Sequence, residues 1–480
     1  MIYDVVIIGA GVIGGMLARE LSRYDLKLCL LEKENDVAMG ASKANSGIVH
    51  GGYDPVPGTL KAKLNSEGVE PLFAAAQELS VPCKRNGSMV CAFSKEEERV
   101  LEELYQQGQE NNIPGLAILS GDAARKLEPN LSIAVTKVLH VTNAGIISPY
   151  ELTVAAVGNA MDNGAELKRN FSVSAICREE AVFTVTAARG ETVQAKYLVN
   201  CAGGYSDRIA ELAGDGFFTV VPRAGEYMLL DKAEGSRVGH TLFQCPTEEG
   251  KGILVSPTVH GNLLVGPTAT HVETPDCKAT TAEGLAQVER LAAKSVPSVN
   301  FRQVITSFTG VRASEKSGDF IIRASEKVPG MVHAAAIDSP GLTCCVSIAR
   351  YLTELLQAQG LTLREKEFWN GTREDSCAFQ KMTDEEKDAY IKKNPAYGKI
   401  VCRCETVSEG EILQAIHANP GARDMDGVKR RTRSGMGRCQ GGFCGPYVMA
   451  LISRELGVPM EAVTKNGGKS QMVLGRVDEV

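Results

Sequence analysis

The sequence lacks the features of a membrane or secreted protein. A membrane-spanning helix needs about 18 consecutive apolar residues, and no run here approaches that length. No basic segment followed by a cleavage site stands near the start, as a secretory leader would require. The net charge of −6 gives no basic excess to favour nucleic acid or an anionic membrane. We expect a cytoplasmic protein that binds no nucleic acid and attaches to a membrane only through a partner.

The sequence also lacks internal repeats and low-complexity segments. A chain of 480 residues with ordinary composition is expected to form about three domains. Its 14 cysteines come without a secretory leader, so they indicate reduced thiols or a metal cluster and not a disulfide framework. Several stand in apolar runs and are expected in the core, namely Cys29, Cys201, Cys344 and Cys345.

Residues 1–32 have the order strand, glycine turn, helix, strand and acid that is typical of a dinucleotide-binding unit. The first strand is a continuous apolar run, as a strand buried on both faces should be. Gly9 permits a tight turn, Gly11 a close approach of the pyrophosphate, and Gly14 close packing of the helix. The helix directs free N–H groups at the phosphates. Glu32 ends the second strand, where an acid accepts a ribose hydroxyl and favours FAD or NAD over NADP.

Three later segments are predicted to complete the cofactor site. Residues 40–52 are dense in small and hydroxyl side chains, which indicates a loop whose backbone contacts a ligand. Residues 196–206 predict a buried strand that ends in a glycine turn. Residues 332–343 predict a strand and turn before a helix whose N-terminus stabilises negative charge on a reduced flavin. The candidate cofactor-binding residues are Gly9, Gly11, Val12, Ile13, Gly14, Glu32, Ala41, Ser42, Asn45, Ser46, Gly47, Ala202, Gly203, Gly341, Leu342 and Thr343.

The segments between these motifs change in character and predict a discontinuous α/β architecture. They contain short strands and predict a sheet that covers the flavin and binds the substrate. The expected parts are a Rossmann-like FAD-binding domain (1–81, 146–215 and 301–360), a mixed-sheet substrate cap domain (82–145 and 216–300), a linker (361–397), a small iron–sulfur domain (398–452) and a C-terminal tail (453–480).

Two cysteine pairs near the C-terminus predict a metal centre. Cys402 and Cys404 form a CxC clip, and Cys439 and Cys444 form a Cx4C clip. Four thiolates suit a [2Fe–2S] cluster or a tetrahedral zinc ion, and electron transfer beside a flavin favours the cluster. Glycines around the second pair let backbone N–H groups bond the sulfurs. The basic run 429–433 is interpreted as a solvated helix face, with a docking or cluster-tuning patch as the alternative.

Five side chains are candidates for contact with the substrate. His50 is the candidate general base because the ordinary histidine pKa of about 6.5 suits proton transfer. The alternative is a buried, hydrogen-bonded core histidine. Arg312 is flanked by a glycine turn and offers a forked donor to a carboxylate or phosphate, as Arg323 also does. Tyr227 would suit an amine substrate beside Arg312. His260 stands on a predicted hairpin turn, either as an exposed loop residue or as a substrate contact.

Residues 1 to about 360 resemble the FAD-dependent oxidoreductases of the D-amino-acid-oxidase superfamily. Residues 45–68 are similar to the branch that holds L-2-hydroxyglutarate oxidases and glycerol-3-phosphate dehydrogenases. Residues 400–450 resemble a bacterioferritin-associated-ferredoxin-like [2Fe–2S] domain, whose ligand pattern the four cysteines match. The combination resembles the catalytic subunit of anaerobic glycerol-3-phosphate dehydrogenases. The motifs that carry the first resemblance are Gly9-x-Gly11-x-x-Gly14, Asn45–His50, Asn200–Gly203, Gly310–Arg312 and Pro340–Thr343.

The resemblance implies an FAD-dependent dehydrogenase for a small anionic 2-hydroxy compound, first sn-glycerol 3-phosphate, which becomes dihydroxyacetone phosphate. Hydride would pass to flavin N5, His50 would take the hydroxyl proton, and Arg312 would hold the anion. Electrons would leave through the cluster to an acceptor protein, either a flavoprotein or a membrane-anchored subunit. The alternatives are an L-2-hydroxyglutarate, proline or sarcosine-type dehydrogenase, a flavin and iron–sulfur electron-transfer subunit without turnover, and a zinc-stabilised enzyme.

Overall fold

The structure, a computed structural model, describes residues 1–246, 252–376 and 378–475. Its strands are β1 (Ile2–Ile8), β2 (Leu28–Leu31), β3 (Ile48–Val49), β4 (Cys83–Lys84), β5 (Ser88–Ala92), β6 (Leu116–Ser120), β7 (Lys137–Val141), β8 (Gly145–Ile147), β9 (Glu166–Lys168), β10 (Val173–Glu179), β11 (Val182–Ala187), β12 (Thr192–Asn200), β13 (Val221–Leu230), β14 (Thr241–Gln244), β15 (Leu254–Pro257), β16 (Leu263–Gly266), β17 (Thr270–His271), β18 (Val304–Ser314), β19 (Ile321–Ala324), β20 (Met331–Ala335), β21 (Ile400–Cys402) and β22 (Val407–Ser408).

The helices are α1 (Val12–Leu21), α2 (Leu60–Ser66), α3 (Val69–Glu78), α4 (Lys95–Glu110), α5 (Gly121–Leu127), α6 (Pro149–Asp162), α7 (Ser206–Leu212), α8 (Ala282–Ser295), α9 (Cys345–Ala358), α10 (Ala378–Lys381), α11 (Asp384–Lys393), α12 (Glu409–His417), α13 (Met425–Thr432) and α14 (Gly445–Leu456). In the described part of the chain, no helix combines the length and apolar character that a membrane crossing requires.

The first sheet is built around β1, as its continuous apolar run predicts. β1 pairs in parallel with β2 on one side and with β12 on the other, and β20 is parallel to β12. Ile7 faces a core shared with α1, α6 and α9, whereas Val6 faces a second core with Phe183. Both side chains are fully buried because a parallel sheet is covered on both faces. The predicted Rossmann-like core, assembled from distant parts of the chain, is therefore present.

The second sheet is the predicted mixed cap. Its strand order is β17-β13-β16-β15-β14-β5-β7-β6, with β18 beside β13. The β14–β5 pair is parallel, and the other pairs are antiparallel. One boundary differs from the expectation that 301–360 belongs to the first domain. β18 pairs with β13 along nearly its whole length, so residues 304–314 belong to the second sheet.

The C-terminal domain packs the β21–β22 hairpin and α12, α13 and α14 around a small core that includes Ile412, Val428 and Ile452. α12 begins with a capping box between Ser408 and Glu411. Residues 453–480 were expected to form a tail. Instead, α14 continues to Leu456 and Val463 is buried in the same core, so the domain extends beyond residue 452.

Candidate active site

A cleft of about 2320 Å³ lies between the carboxyl ends of β1 and β2 and the face of the second sheet. The following candidate cofactor-binding residues line it: Gly9, Gly11, Val12, Ile13, Glu32, Ala41, Ser42, Asn45, Ser46, Ala202, Gly203, Gly341 and Leu342. The other three lie behind the lining. Gly14 packs on the Gly9 carbonyl, Gly47 approaches the Ile147 carbonyl, and Thr343 is buried. The cleft has the place and size for a dinucleotide at the glycine turn.

The glycine turn is held in shape by its own neighbours. Gly9 has a φ of +106°, and a Cβ there would collide with the Cys201 carbonyl. Ser42 Oγ accepts the Val12 N–H at 2.9 Å, which places this hydroxyl at the N-terminus of α1, where a phosphate binds. Asn45 lines the cleft, and its side chain also shapes the loop. Its Oδ1 accepts the Gly47 N–H at 2.8 Å.

Glu32 is preorganised at the end of β2. Its two carboxylate oxygens accept the N–H groups of Ala10 at 2.9 Å and Glu34 at 3.0 Å. Burial raises the pKa of Glu32 to about 6, against the lowering effect of these two hydrogen bonds. A carboxylate has about four lone-pair positions, so Glu32 keeps capacity to accept a ribose hydroxyl.

His50 lies in the cleft wall with its ring buried between aromatic side chains. The ring centroids of Tyr53 and Phe243 are 5.5 and 5.8 Å away. Its Nδ1 lies 3.1 Å from Asp54 Oδ1, a carboxylate that the sequence analysis missed although it stands four residues downstream. The backbone is also fixed, since the His50 N–H donates to Thr343 Oγ1 at 2.7 Å. With the ring proton on Nδ1, beside this carboxylate, Nε2 carries the lone pair of the neutral ring.

The cap presents a row of cross-strand pairs to the cleft. Arg223 of β13 is directly opposite Arg312 of β18, and both line the cleft. Two residues further along, Gly225 faces Gly310, where a Cβ on Gly310 would collide with the Ala44 carbonyl of the cofactor loop. Like charges directly opposite each other in a sheet destabilise it. The Arg223–Arg312 pair, of which only Arg312 was predicted, is therefore an arrangement that an anion in the cleft would neutralise.

Tyr227 continues this row toward the cofactor loop. Its ring stacks on Phe308, the residue opposite it, with centroids 4.8 Å apart. Its hydroxyl lies 3.1 Å from Ser46 Oγ. Tyr227 therefore connects the cap to the cofactor loop beside the arginine pair.

Two predicted substrate residues lie outside the cleft lining. His260 Nε2 is 2.8 Å from Glu151 Oε1 of α6, so this histidine joins the cap to the first domain. Arg323 forms an ion pair with Glu326 at 3.0 Å, and its guanidinium lies 3.9 Å from the centroid of the Phe217 ring. Both side chains have ion-pair partners within the chain, and the sequence pattern around each residue did not identify these partners. We therefore do not place His260 and Arg323 in the site.

The four C-terminal cysteines form two pairs. Cys404 and Cys439 are at the surface, with their sulfurs 3.5 Å apart. Cys402 and Cys444 are buried, and the hydrogen bond from Cys444 is the main cause of the lowered pKa of Cys402. A tetrahedral metal with bonds of about 2.3 Å holds two thiolates roughly 3.8 Å apart. Across residues 1–246, 252–376 and 378–475, no three His, Cys, Asp or Glu side chains converge on one point that could hold an ion.

The loop around the outer pair supplies backbone donors to sulfur, as expected. The N–H groups of Phe443, Gly441 and Gly442 bond the Cys439 sulfur and lower the pKa of this thiol. Residues Cys402, Cys404, Cys439 and Cys444 are those that would hold the cluster.

The basic run 429–433 is not the solvated face that was expected. Arg431 forms a bidentate ion pair with Asp36 at 2.7 and 2.8 Å, and Arg430 reaches the same carboxylate at 2.6 Å. Asp36 is fully buried on the loop after Glu32. Burial alone would raise the pKa of Asp36, but the two guanidinium groups hold it well below its usual range. This cluster fixes the C-terminal domain to the cofactor domain.

Comparisons with known proteins agree with this geometry. The sequence model of the family described as FAD dependent oxidoreductase matches residues 4–355, and that of the BFD-like [2Fe-2S] binding domain matches residues 400–454. These matches confirm FAD and a [2Fe–2S] cluster as the cofactors.

Three relatives have names that describe an activity. A glycerol 3-phosphate dehydrogenase of Caloramator mitchellensis is 43% identical over 98% of this chain and 98% of its own. A glycerol 3-phosphate oxidase of Mycoplasma genitalium is 33% identical over 76% of this chain and 97% of its own. The solved structure of dithionite-reduced L-alpha-glycerophosphate oxidase from Mycoplasma pneumoniae with FAD bound superimposes with a TM-score of 0.74, at 32% identity over 78% of this chain and 98% of that chain.

Proposed function

This chain belongs to the family of FAD-dependent oxidoreductases, and we propose that it is a dehydrogenase that oxidises sn-glycerol 3-phosphate to dihydroxyacetone phosphate. The observation that carries the proposal is the Arg223–Arg312 pair in the cleft that His50 also lines. The names of the relatives described above support the same substrate.

The arginine pair is the proposed phosphate site. A guanidinium presents its donors in a planar fork that matches phosphate oxygens two at a time. Two such forks on adjacent strands, Arg223 and Arg312, match the two negative charges of a phosphate monoester. Binding the phosphate would position the C2–H of the substrate for transfer, since a fixed geometry replaces a bimolecular encounter.

His50 is the proposed general base. With the ring proton on Nδ1, 3.1 Å from the Asp54 carboxylate, Nε2 would accept the proton of the C2 hydroxyl. Asp54 would then stabilise the positive charge that develops on the ring. FAD supplies the hydride acceptor when it is bound. Thr343 and the buried wall around His50 hold the ring and its backbone in place.

The C-terminal domain gives the proposed route for electrons. A [2Fe–2S] cluster carries one electron at a time, so it suits a dehydrogenase that supplies a separate acceptor protein. We propose that this acceptor is a flavoprotein or a membrane-anchored subunit.

The experiment that tests the substrate is anaerobic flavin reduction with a panel of compounds. We expect sn-glycerol 3-phosphate to bleach the flavin with a kcat/KM at least about 10³-fold above that for glycerol, because glycerol lacks the phosphate that the two guanidinium groups would bind. L-2-hydroxyglutarate and proline are the competing substrates. Preferential reduction by either of them would reject the phosphate assignment while leaving the arginine pair as a carboxylate site.

A further inference from the structure

The outer cysteine pair lies in a surface patch of unusual composition. Cys404 is exposed, and its sulfur is 3.5 Å from that of Cys439, which is half-buried. Cys402 and Cys444 are buried in the core of the same domain. A protein that exchanges electrons with this domain therefore meets the outer pair first.

Two large aromatic side chains project beside this pair. Phe443 is 83% exposed and Tyr447 is 61% exposed. Tyr447 lies in the first turn of α14, and Phe443 directly precedes Cys444, the N-cap of that helix. Phe443 belongs to the short glycine-rich loop that joins Cys439 to Cys444. Exposed aromatic side chains of this size mark interaction sites more often than ordinary surface.

Two arginines complete the patch. Arg403 precedes Cys404, Arg438 precedes Cys439, and both are exposed. In the part of the chain that the structure describes, neither takes part in an ion pair with an acidic side chain. The chain as a whole has a net charge of −6. A local pair of cations on an acidic protein selects a partner with an acidic surface.

We propose that Phe443, Tyr447, Arg403 and Arg438, here called the outer patch, dock a one-electron carrier protein with acidic residues around its redox centre. This inference rests on the proposed function. One sn-glycerol 3-phosphate releases two electrons and two protons as it becomes dihydroxyacetone phosphate. Two carrier molecules each take one electron, and the protons pass to solvent. Tyrosine and arginine are the residues that most often carry the energy of protein interfaces, and small patches are typical of transient redox complexes.

Binding without turnover gives the first test. The soluble haem domain of cytochrome b5, an acidic one-electron carrier, is titrated into the oxidised full-length holoenzyme, with the basic carrier cytochrome c as the counter-probe. We expect saturable binding of cytochrome b5 at about 0.05 M salt, weakened at least about tenfold at about 0.3 M salt, and no comparable binding of cytochrome c.

Variants locate the site. Arg403→Gln/Arg438→Gln should weaken cytochrome b5 binding about tenfold at low salt and little at high salt, whereas Tyr447→Ala should weaken it about tenfold at both. Arg189→Gln and Phe368→Ala, which replace exposed residues elsewhere, should leave binding unchanged. The EPR signal of the dithionite-reduced cluster verifies that each variant keeps its cluster. Tyr447→Ala should disturb the cluster least, because Tyr447 is three residues beyond Cys444 whereas both arginines directly precede a cysteine.

The outcomes separate this inference from the proposed function. If sn-glycerol 3-phosphate fails to bleach the flavin of the wild-type enzyme, the proposed function is wrong, and the binding result still tests the patch. Unchanged cytochrome b5 affinity in the arginine and tyrosine variants would overturn the outer patch. Equal binding of the two cytochromes, or binding of anionic-lipid vesicles in place of cytochrome b5, would overturn it as well.

Discussion

The cleft and the domain interface each contain two neighbouring arginines, and the two pairs have different surroundings. Arg430 and Arg431 share the buried carboxylate of Asp36. Arg223 and Arg312 face each other across two strands with like charge against like charge. The first pair is neutralised within the chain and holds two domains together. The second pair lines the cleft, where its guanidinium groups can bind an anionic ligand, so removing its charge should affect substrate binding more than folding.

Removal of the interface carboxylate should give the largest effect on stability. Asp36→Ala removes the carboxylate that two buried guanidinium groups share, which costs about 3–5 kcal/mol in the free energy of unfolding although Asp424 remains 4.0 Å from Arg430. Thermal and urea unfolding of the FAD-loaded protein measure this loss. Asp426→Ala, which breaks the Lys465 ion pair at the surface, is the matched control and should cost at most about 1 kcal/mol.

Charge removal in the cleft should give the opposite pattern. Arg312→Gln or Arg223→Gln should lower kcat/KM for sn-glycerol 3-phosphate about 10²–10³-fold, since each removes one charged fork from the phosphate. In Arg312→Gln the unfolding midpoint should stay the same or rise, because one like-charge contact is removed. Stopped-flow flavin reduction and thermal unfolding are the two measurements. A large loss of stability with unchanged kcat/KM would show that this pair is structural too.

Replacing Asp54, the carboxylate next to His50 Nδ1, tests whether His50 is the general base. Asp54→Asn keeps the size of the side chain but removes the charge near Nδ1, so the rate of flavin reduction should fall about 10–10²-fold. Because substrate binding is assigned to the arginines, the substrate concentration for half-maximal reduction should change little. An unchanged rate in this variant would mean that Asp54 only fixes the loop.

Acid should weaken the interface between the C-terminal domain and the cofactor domain, because the ionised carboxylate of Asp36 stabilises it. Its pKa in the folded protein is depressed, so it stabilises the fold above its unfolded pKa of about 4 and loses this effect as pH falls toward the folded value. The stability difference between wild type and Asp36→Asn should therefore be constant above about pH 5 and shrink below about pH 4. Urea unfolding of both proteins across this range measures it, and a constant difference down to pH 3 would contradict the ion pair.

FAD affinity should show a smaller pH effect. The pKa of Glu32 is raised to about 6, and the ionised carboxylate is the form that best accepts a ribose hydroxyl. FAD binding should therefore weaken by up to about tenfold between pH 7 and pH 5. Fluorescence titration of the apoprotein with FAD follows the change, and Glu32→Gln should flatten the profile.

Local sequence signals accounted for the frame of the molecule. The apolar run of β1 and the glycine spacing after it predicted a buried parallel strand at a dinucleotide site, because those residue types serve few other purposes in that order. The capping boxes at Thr383 and Ser408 begin α11 and α12, and each stands in the sequence as a hydroxyl residue followed three positions later by glutamate. Each of these features depends on residues within a few positions of one another.

Long-range partners could not be deduced in the same way. The sequence predicted a solvated helix face for Arg430 and Arg431 because their ion-pair partner is distant in the chain. Asp36 is 394 residues from Arg430 and 395 from Arg431. Arg223 was not predicted as a substrate residue because only the pairing of β13 with β18 places it opposite Arg312. Asp54 is the exception, since its spacing of four from His50 was visible in the sequence.

One measurement tests the central claim most directly. The purified holoenzyme is mixed anaerobically with sn-glycerol 3-phosphate. Its flavin absorbance at about 450 nm and its EPR spectrum are recorded together. The account predicts a bleached flavin and the signal of a reduced [2Fe–2S] cluster. A flavin that stays oxidised with sn-glycerol 3-phosphate, while dithionite still reduces both centres, would contradict it.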